Sequence, residues 1–561
     1  MRIYYKAKQV GNSFFILFKS ETEEVFINND KEKVKEYLEE HKRDIFVGGA
    51  NYTKDDFLLT SIIKNNNLDG EITDEDFYLL PLTIDTTQGI VKGMSMKLDV
   101  VLANLGFQTM PVFIENPSNI TEEEIDNIHR ELSYKVDFIK YLETQRIDYL
   151  DFRANLIDKY DLPKESFRDT ASNLMSRIVG LQENKTEGFE VSKELSFLLD
   201  EEFYRKLLND FKEMDIPSRE YNGTNISYVS QGIKGSRISI DTNEGNYLYI
   251  DFNSFGPSIL INNKYLEDCS THPQRYEELR DLRIELKAQK NRTQVYYKTM
   301  LNSFIDNTFK ASSNGNNIGK SISITGAFIM TYLINVLQRF NIEIIDANTD
   351  GIIIRCDKKY NDEIKEIVKQ IEKRFNMSCD VDVITKLIHK DVQNYAALFE
   401  TGKIKHIGVF GKAQDEMIQT NSLSCIDQAL TNYFLFGIPP RETLENLLNN
   451  NNLLAFQKVL RQGKKNTKKY IFENGVYKEV TADAIVLFAV TDIPRLTLYE
   501  EKKLKGKSTI KAYSKDNLEY VLNPQEFDIS RIDIDYYEKL VEEKIESITG
   551  ERKTELTRKL V

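Results

Sequence analysis

YIDFNSFGPSI, residues 249–259, is the segment on which the architecture turns. With Tyr247 and Leu248 ahead of it, it reads as a bulky strand ending at Asp251, after which F-N-S-F-G-P-S leads into a helix. Further along, IIDANTDGIII at 344–354 delivers Asp350 to a tight turn between two apolar strands. A carboxylate in that setting is costly without a metal or a donor. Between them, KTMLNSF at 298–304 lies on a helix rich in Lys and Arg. Two carboxylates brought together from separate strands, with a cationic helix opposite, suit phosphoryl or nucleotidyl transfer assisted by two metal ions.

Each segment alone has a plainer reading. Asp251 also fits a strand-to-helix cap, N-T-D-G a hairpin turn, and the basic helix a solvated face. Their order and spacing make the combination specific. Arg283, Lys287, Lys290 and Lys298 recur at spacings of 4, 3 and 8, so the first three lie near one helix face. That face, with Asn302 and Ser303 one turn beyond Lys298, suits a triphosphate clamp. Asp251 suits both metals, and the Phe252 carbonyl adds a hard oxygen ligand. Magnesium keeps several waters, so few carboxylates are needed.

A chain of 561 residues should hold several domains, and 41% apolar with 29% charged residues fits an ordinary globular protein. No run of 18 apolar residues occurs and no basic region leads into an apolar one at the start, so neither a membrane span nor a secretory signal is expected. Cys269, Cys356, Cys379 and Cys425 are far apart, which predicts reduced thiols and a cytoplasmic setting. The five histidines are equally scattered, against a zinc site. A net charge of −13 gives no support to polyanion binding, yet the field of one groove matters more than the sum. Basic runs at 280–298, 458–469 and 502–511 favour a polyanion track.

The first 60 residues alternate strand-like and helical runs, an α/β start. Residues 121–215 read as helical, strands return at 226–262, and a charged helical pair over 273–311 breaks near Asn291. The helix TGAFIMTYLINVLQRF then leads into the 342–356 strand, and the region from about 412 reads as a separate C-terminal unit.

The three segments resemble motifs A, B and C of family B DNA polymerases, especially those of bacteriophages. D-F-N-S-F-G-P-S is similar to D-x-x-S-L-Y-P-S, K-T-M-L-N-S-F to K-x-x-x-N-S-x-Y-G, and N-T-D-G to D-T-D-S or D-T-D-G. The resemblance implies catalytic roles for Asp251, Asp350 and Lys298, and metal binding by Asp251, Phe252 and Asp350. It implies a nucleotide site built from Arg283, Lys287, Asn302, Ser254, Phe255 and Gly256. DVQNYAALFETGKIKHIGVFGKA at 391–413 resembles the segment whose lysines grip the primer terminus, so Lys403, Lys405 and Tyr395, with Lys464 and Lys465, are candidate DNA contacts. YVSQGIKGS at 228–236 resembles the glycine-containing linker ahead of the polymerase module. Three positions depart from the pattern. Gly256 stands where the family has a Tyr that excludes a 2′-hydroxyl, Asn348 replaces the first aspartate of motif C, and Ile305-Asp306 replaces Tyr-Gly.

The N-terminal region occupies the place of the family's 3′–5′ exonuclease. NYTKDDFLL resembles its second motif through Asp56, and SYKVDFIKYL its third through Asp137. Where the first motif needs D-x-E, IYYKAKQV carries Lys6 and Lys8, and lysines repel the cations that chemistry uses. The alternative match, FKSETE with Glu21, still lacks the pair. A degenerate exonuclease is therefore expected.

The expected fold is an α+β multidomain chain: a right-hand polymerase of palm, fingers and thumb, preceded by an RNase H-like, exonuclease-type α/β domain. Its divisions are 1–160 exonuclease-like, 161–225 helical connection, 226–270 with 312–411 palm, 271–311 fingers and 412–561 thumb. The expected activity is template-directed extension of a primer by dNTPs with two Mg²⁺ ions, for which Mn²⁺ can substitute, and without proofreading. Expected partners are primer–template DNA, dNTPs and a replication accessory protein, with the chain a monomer in the cytoplasm of a host cell. Only 51 residues separate Asp251 from Asn302, which leaves little room for the insertion of protein-primed relatives. Two other readings remain: a ribonucleotide-accepting, primer-synthesising polymerase, and a non-catalytic nucleic-acid-binding protein on the same scaffold.

Overall fold

Nearly continuous apolar runs at the N-terminus bury both faces of the first sheet. In a computed structural model of the chain, β1 (Arg2–Val10), β2 (Ser13–Lys19) and β3 (Glu24–Asn28) form an antiparallel meander. β4 (Ile45–Gly48) and β5 (Leu82–Asp85) extend it in parallel, in the order β3-β2-β1-β4-β5. Tyr5, Phe14, Ile16, Phe18 and Phe46 pack there against Leu58, Leu59 and Ile62 of the helix Asp55–Asn65. The long helix Glu122–Gln145 packs on β1 and β2 and is started by a capping box between Thr121 and Glu124. The structure describes the chain outside residues 53, 69–70, 91–95, 115, 183–201, 203–204, 207–217, 238–244, 268, 311–317, 412–422, 463–467, 481, 505–506 and 551–561.

A nine-stranded sheet carries the motif segments. Its strands are β6 (Ser218–Tyr221), β7 (Thr224–Val229), β8 (Gly232–Ser236), β9 (Tyr247–Asn253), β10 (Glu343–Ala347), β11 (Gly351–Arg355), β12 (Ser378–Asp391), β13 (Asn394–Phe399) and β14 (Ile404–Ile407). The order is β14-β13-β12-β9-β11-β10-β8-β7-β6, so β9 lies in the interior beside β11 and β12. The 228–236 segment, expected as a linker, is the β7–β8 hairpin of this sheet. Alternating burial along Thr224–Val229 commits it to the sheet core.

The helical pair runs Gln274–Ala288 and Gln294–Lys310, broken where Lys290 has φ +56° and Asn291 accepts from the Thr293 N–H at 2.9 Å. Ile318–Phe340 is long and apolar enough to cross a membrane by length and composition, yet 78% of its apolar window is buried inside the fold. Two further sheets follow: β15 (Lys458–Arg461), β18 (Ala484–Ala489) and β21 (Leu518–Tyr520), then β17 (Val476–Glu479), β16 (Lys469–Glu473), β19 (Leu498–Leu504) and β20 (Lys507–Ala512) in that order.

The chain divides into two compact units. The first comprises Met1–Thr170, Gln414–Cys425 and Leu444–Tyr537; the second comprises Ala171–Ala413, Ile426–Thr443 and Glu538–Val561. The stretch 412–561, read from sequence as one C-terminal region, is thus shared between them.

Candidate active site

Antiparallel register sets the two carboxylates side by side. Gly351 pairs with Asp251 across β11 and β9, and the Phe252 N–H donates to the Asp350 carbonyl at 2.9 Å. A Cβ on Gly351 would stand 2.9 Å from Asp251 Oδ1, so only glycine lets the Asp251 carboxylate lie this close to the turn. Asn348, in place of the motif's first aspartate, holds that turn by accepting from the N–H groups of Asp350 and Gly351 at 3.1 and 2.8 Å. Crowding in the cleft, and then the like charge of Asp251, push Asp350 up to about 6, although the carboxylate stays open to solvent. Burial likewise raises Asp251, against the pull of Tyr249, Lys405 and Lys298. Among the described residues no ion pair reaches the Asp350 carboxylate.

The helix Gln274–Ala288 lays its basic face against β9 and the short helix Phe255–Asn262. Arg280 donates to Ser258 Oγ at 3.0 Å, Arg283 to Ser254 Oγ, and Lys287 to Asn253 Oδ1 and, at 2.8 Å, to Asp380. Ser254 itself has φ +50°, strained for a non-glycine residue, where strand gives way to helix. Among the described residues the buried Arg283 Nε has no hydrogen-bond partner. Lys298 reaches the cleft from the second helix of the pair. Desolvation and then Arg283 lower its pKa, while Asp251 and Asp350 raise it. Asn302 is exposed one turn further on.

A second cation acts from the other side. Lys405 Nζ donates to the Tyr249 hydroxyl at 2.8 Å and lies 4.3 Å from that ring's centre, and the hydroxyl donates to Asp251 Oδ1 at 2.9 Å. Desolvation lowers the Lys405 pKa, with Asp251 and Asp350 opposing. Lys403 is exposed nearby on the β13–β14 turn. Tyr249, Asn253 and Asp380 were not picked out from sequence. Tyr249 and Asn253 flank Asp251 by two positions, a signal that was there to use; Asp380 meets Asp251 only through the β12–β9 pairing.

Two expected assignments, Phe255 and Tyr395, change. Phe255 is 4% exposed and stacks on Phe252 with centroids 5.0 Å apart, so its ring belongs to the core and not to a nucleotide pocket. Tyr395, expected on DNA, is 2% exposed in the core cluster under β9 and β12. Asp346 is buried and taken up by His389 Nε2 and the Gln393 N–H, both at 3.1 Å, and so stays apart from the Asp251–Asp350 pair. A Cβ on Gly256 would meet Ile305 Cδ1 at 3.0 Å, so the departures at 256 and 305 fit one another. Lys464 and Lys465 lie outside the described residues.

In the first unit, the residues expected for exonuclease chemistry pair internally. Lys6 Nζ lies 2.6 Å from Asp55 and donates to the Gly49 carbonyl at 2.9 Å; Lys8 pairs with Glu131. Lys135 bridges Glu131 and Asp99, each at 2.7 Å. Burial opposes ionisation of Asp99, but Lys135 holds it at about 2, whereas burial pushes Asp55 up to about 6 despite Lys6. Asp56, expected as a motif carboxylate, is fully buried and held by Tyr5, Asn51, Thr83 and Arg168. Four donors around a sealed carboxylate leave it a structural anchor. Asp137 lies on the surface and pairs with Lys19 at 2.8 Å.

Among the described residues no group of three or more His, Cys, Asp or Glu side chains is placed to hold a metal. Two carboxylates and a backbone carbonyl are a hard-oxygen set that suits a largely hydrated divalent cation. No family model and no curated protein matches the chain. Among solved structures it is similar to the family B DNA polymerase from the hyperthermophilic archaeon Pyrobaculum calidifontis, with a TM-score of 0.41 and 14% identity over 98% of this chain and 78% of that one. A likeness of that degree does not bear on activity.

Proposed function

We propose that the chain is a template-directed DNA polymerase of family B character that extends a primer 3′-hydroxyl with dNTPs. One observation carries this reading: neighbouring strands juxtapose Asp251 and Asp350 in a cleft whose walls supply Lys298, Arg283, Lys287 and Lys405. Two divalent ions bound by Asp251, Asp350 and the Phe252 carbonyl would activate the 3′-hydroxyl and neutralise the leaving pyrophosphate. In this reading Lys298 would bind triphosphate oxygens, with the Arg283 guanidinium adding positive charge behind it. Tyr249 fixes the Asp251 carboxylate through one oxygen and leaves the other for the cleft. Lys403 and Lys405, on the β13–β14 side, hold the primer backbone.

Proofreading is absent in this reading, because Lys6 and Lys8 fill with ammonium groups the places where metal carboxylates are needed. A labelled primer–template with Mg²⁺, incubated with dNTPs, with NTPs or with neither, tests the whole reading. The expected result is extension with dNTPs and an intact primer without nucleotide. Asp251→Ala and Asp350→Ala should each abolish extension while template binding persists; undiminished function in both variants would leave a non-catalytic binding protein. A second reading, acceptance of ribonucleotides, is favoured by Gly256 facing Ile305 and by the burial of Phe255, which leave neither position with a ring toward the sugar. Strict dNTP use ends it.

A further inference from the structure

Lys405 and Tyr249 sit on strands that are not neighbours, yet their side chains meet. β12 and β13 separate β14 from β9, which is about 14 Å across a flat sheet. Register shifts between Ile384 and Lys386 and between His389 and Asp391 interrupt the β12–β13 pairing, and irregularities of this kind bend a ribbon. β14 thereby comes back toward β9 far enough for Lys405 Nζ to reach the Tyr249 hydroxyl at 2.8 Å.

The contact completes a chain of three groups, because the same hydroxyl donates to Asp251 Oδ1 at 2.9 Å. An ammonium has three N–H donors, and only one of them is used here. Among the described residues Lys405 makes no ion pair and no second hydrogen bond, so its other donors remain open to an anion. Hydrogen bonds in series polarise one another. A hydroxyl that accepts from an ammonium donates more strongly to a carboxylate, and so draws charge from Asp251. A phosphate that pulls Lys405 away returns that charge to Asp251, where a cation can use it. A cation at Asp251, in turn, repels Lys405 toward the phosphate.

We propose that Lys405 is a positioning residue that, through Tyr249, couples the binding of a strand phosphate to the binding of a divalent cation at Asp251. The coupling is reciprocal: each ligand tightens the other by the same factor. The inference rests on the polymerase reading for its two ligands, strand and cation, and not for the reaction. It explains why the cleft would hold cations weakly until DNA is in place.

The test is Mn²⁺ calorimetry on the full chain, alone and saturated with a primer–template whose primer ends in a dideoxynucleotide, so that no chemistry intervenes. Mn²⁺ should bind the DNA-bound chain about tenfold more tightly. Phosphates near the cation add to that factor directly, so the variants decide. Tyr249→Phe keeps the ring and the Lys405 charge and removes only the hydroxyl; its factor should fall to about threefold or less. Lys405→Gln breaks the chain from the other end and should give the same fall, and the two changes together should go no lower. The factor is a ratio within one variant, so a general loss of stability cancels. Equal Mn²⁺ affinity with and without DNA in the parent, an unchanged factor in Tyr249→Phe, or losses that add in the double variant would overturn the proposal. A chain that shows the coupling without extending an ordinary primer keeps this inference and loses the polymerase reading. A chain that extends while its coupling ignores Tyr249 does the opposite.

Discussion

Asp350 shows how far its surroundings reset a single group. Crowding and the charge of Asp251 hold it at about 6, so a proton occupies it as pH falls through that value. Protons and cations compete for one carboxylate, and Mn²⁺ affinity measured by calorimetry should fall about tenfold between pH 7.5 and pH 5. A flat profile would remove Asp350 from the ligand set. The sign for stability is the reverse: a folded pKa above the unfolded one adds stability at low pH, which the metal-free chain loses as pH rises through about 6. Tyr249 acts on the same pair by direction rather than charge. Tyr249→Phe should reduce the extension rate about tenfold, near 1.4 kcal/mol, with the KM for dNTP within about twofold. A matching loss in KM instead would assign Tyr249 to nucleotide binding.

Between elements, ion pairs of similar length differ because their burial differs. Lys6 on β1 meets Asp55 at 2.6 Å with side chains 11% and 2% exposed. Lys287 meets Asp380 at 2.8 Å with side chains 39% and 47% exposed. Lys6→Met strands a carboxylate inside the first unit and should cost about 3–5 kcal/mol in denaturant unfolding. Asp380→Ala leaves Lys287 to water and should cost less than about 1 kcal/mol. Equal costs would mean that Asp380 does more than hold a helix. The helical pair and the β10–β11 hairpin were legible because periodicity and turn residues are local signals. The place of 228–236 was not, because a glycine-rich run fits a linker and a hairpin equally until its alternating burial is seen.

Across the whole molecule, an overall charge of −13 coexists with a cleft walled by lysine and arginine, so DNA affinity should depend on local field. Primer–template binding should weaken steeply from 50 to 200 mM salt, and Lys405→Ala should flatten the slope by about one unit. A salt-independent affinity would remove phosphates from the interface. Residue type and order alone singled out Asp251, Lys298 and Asp350, which the fold brings to one cleft, and Lys6 and Lys8, whose ammonium groups the fold pairs with carboxylates. Tertiary contact decided the rest. It placed Phe255 and Tyr395 in the core, gave Asp56 to four donors, and brought Tyr249, Lys405 and Asp380 to the carboxylates. Those outcomes depend on register between strands far apart in sequence, and a shift of one residue turns every side chain to the opposite face.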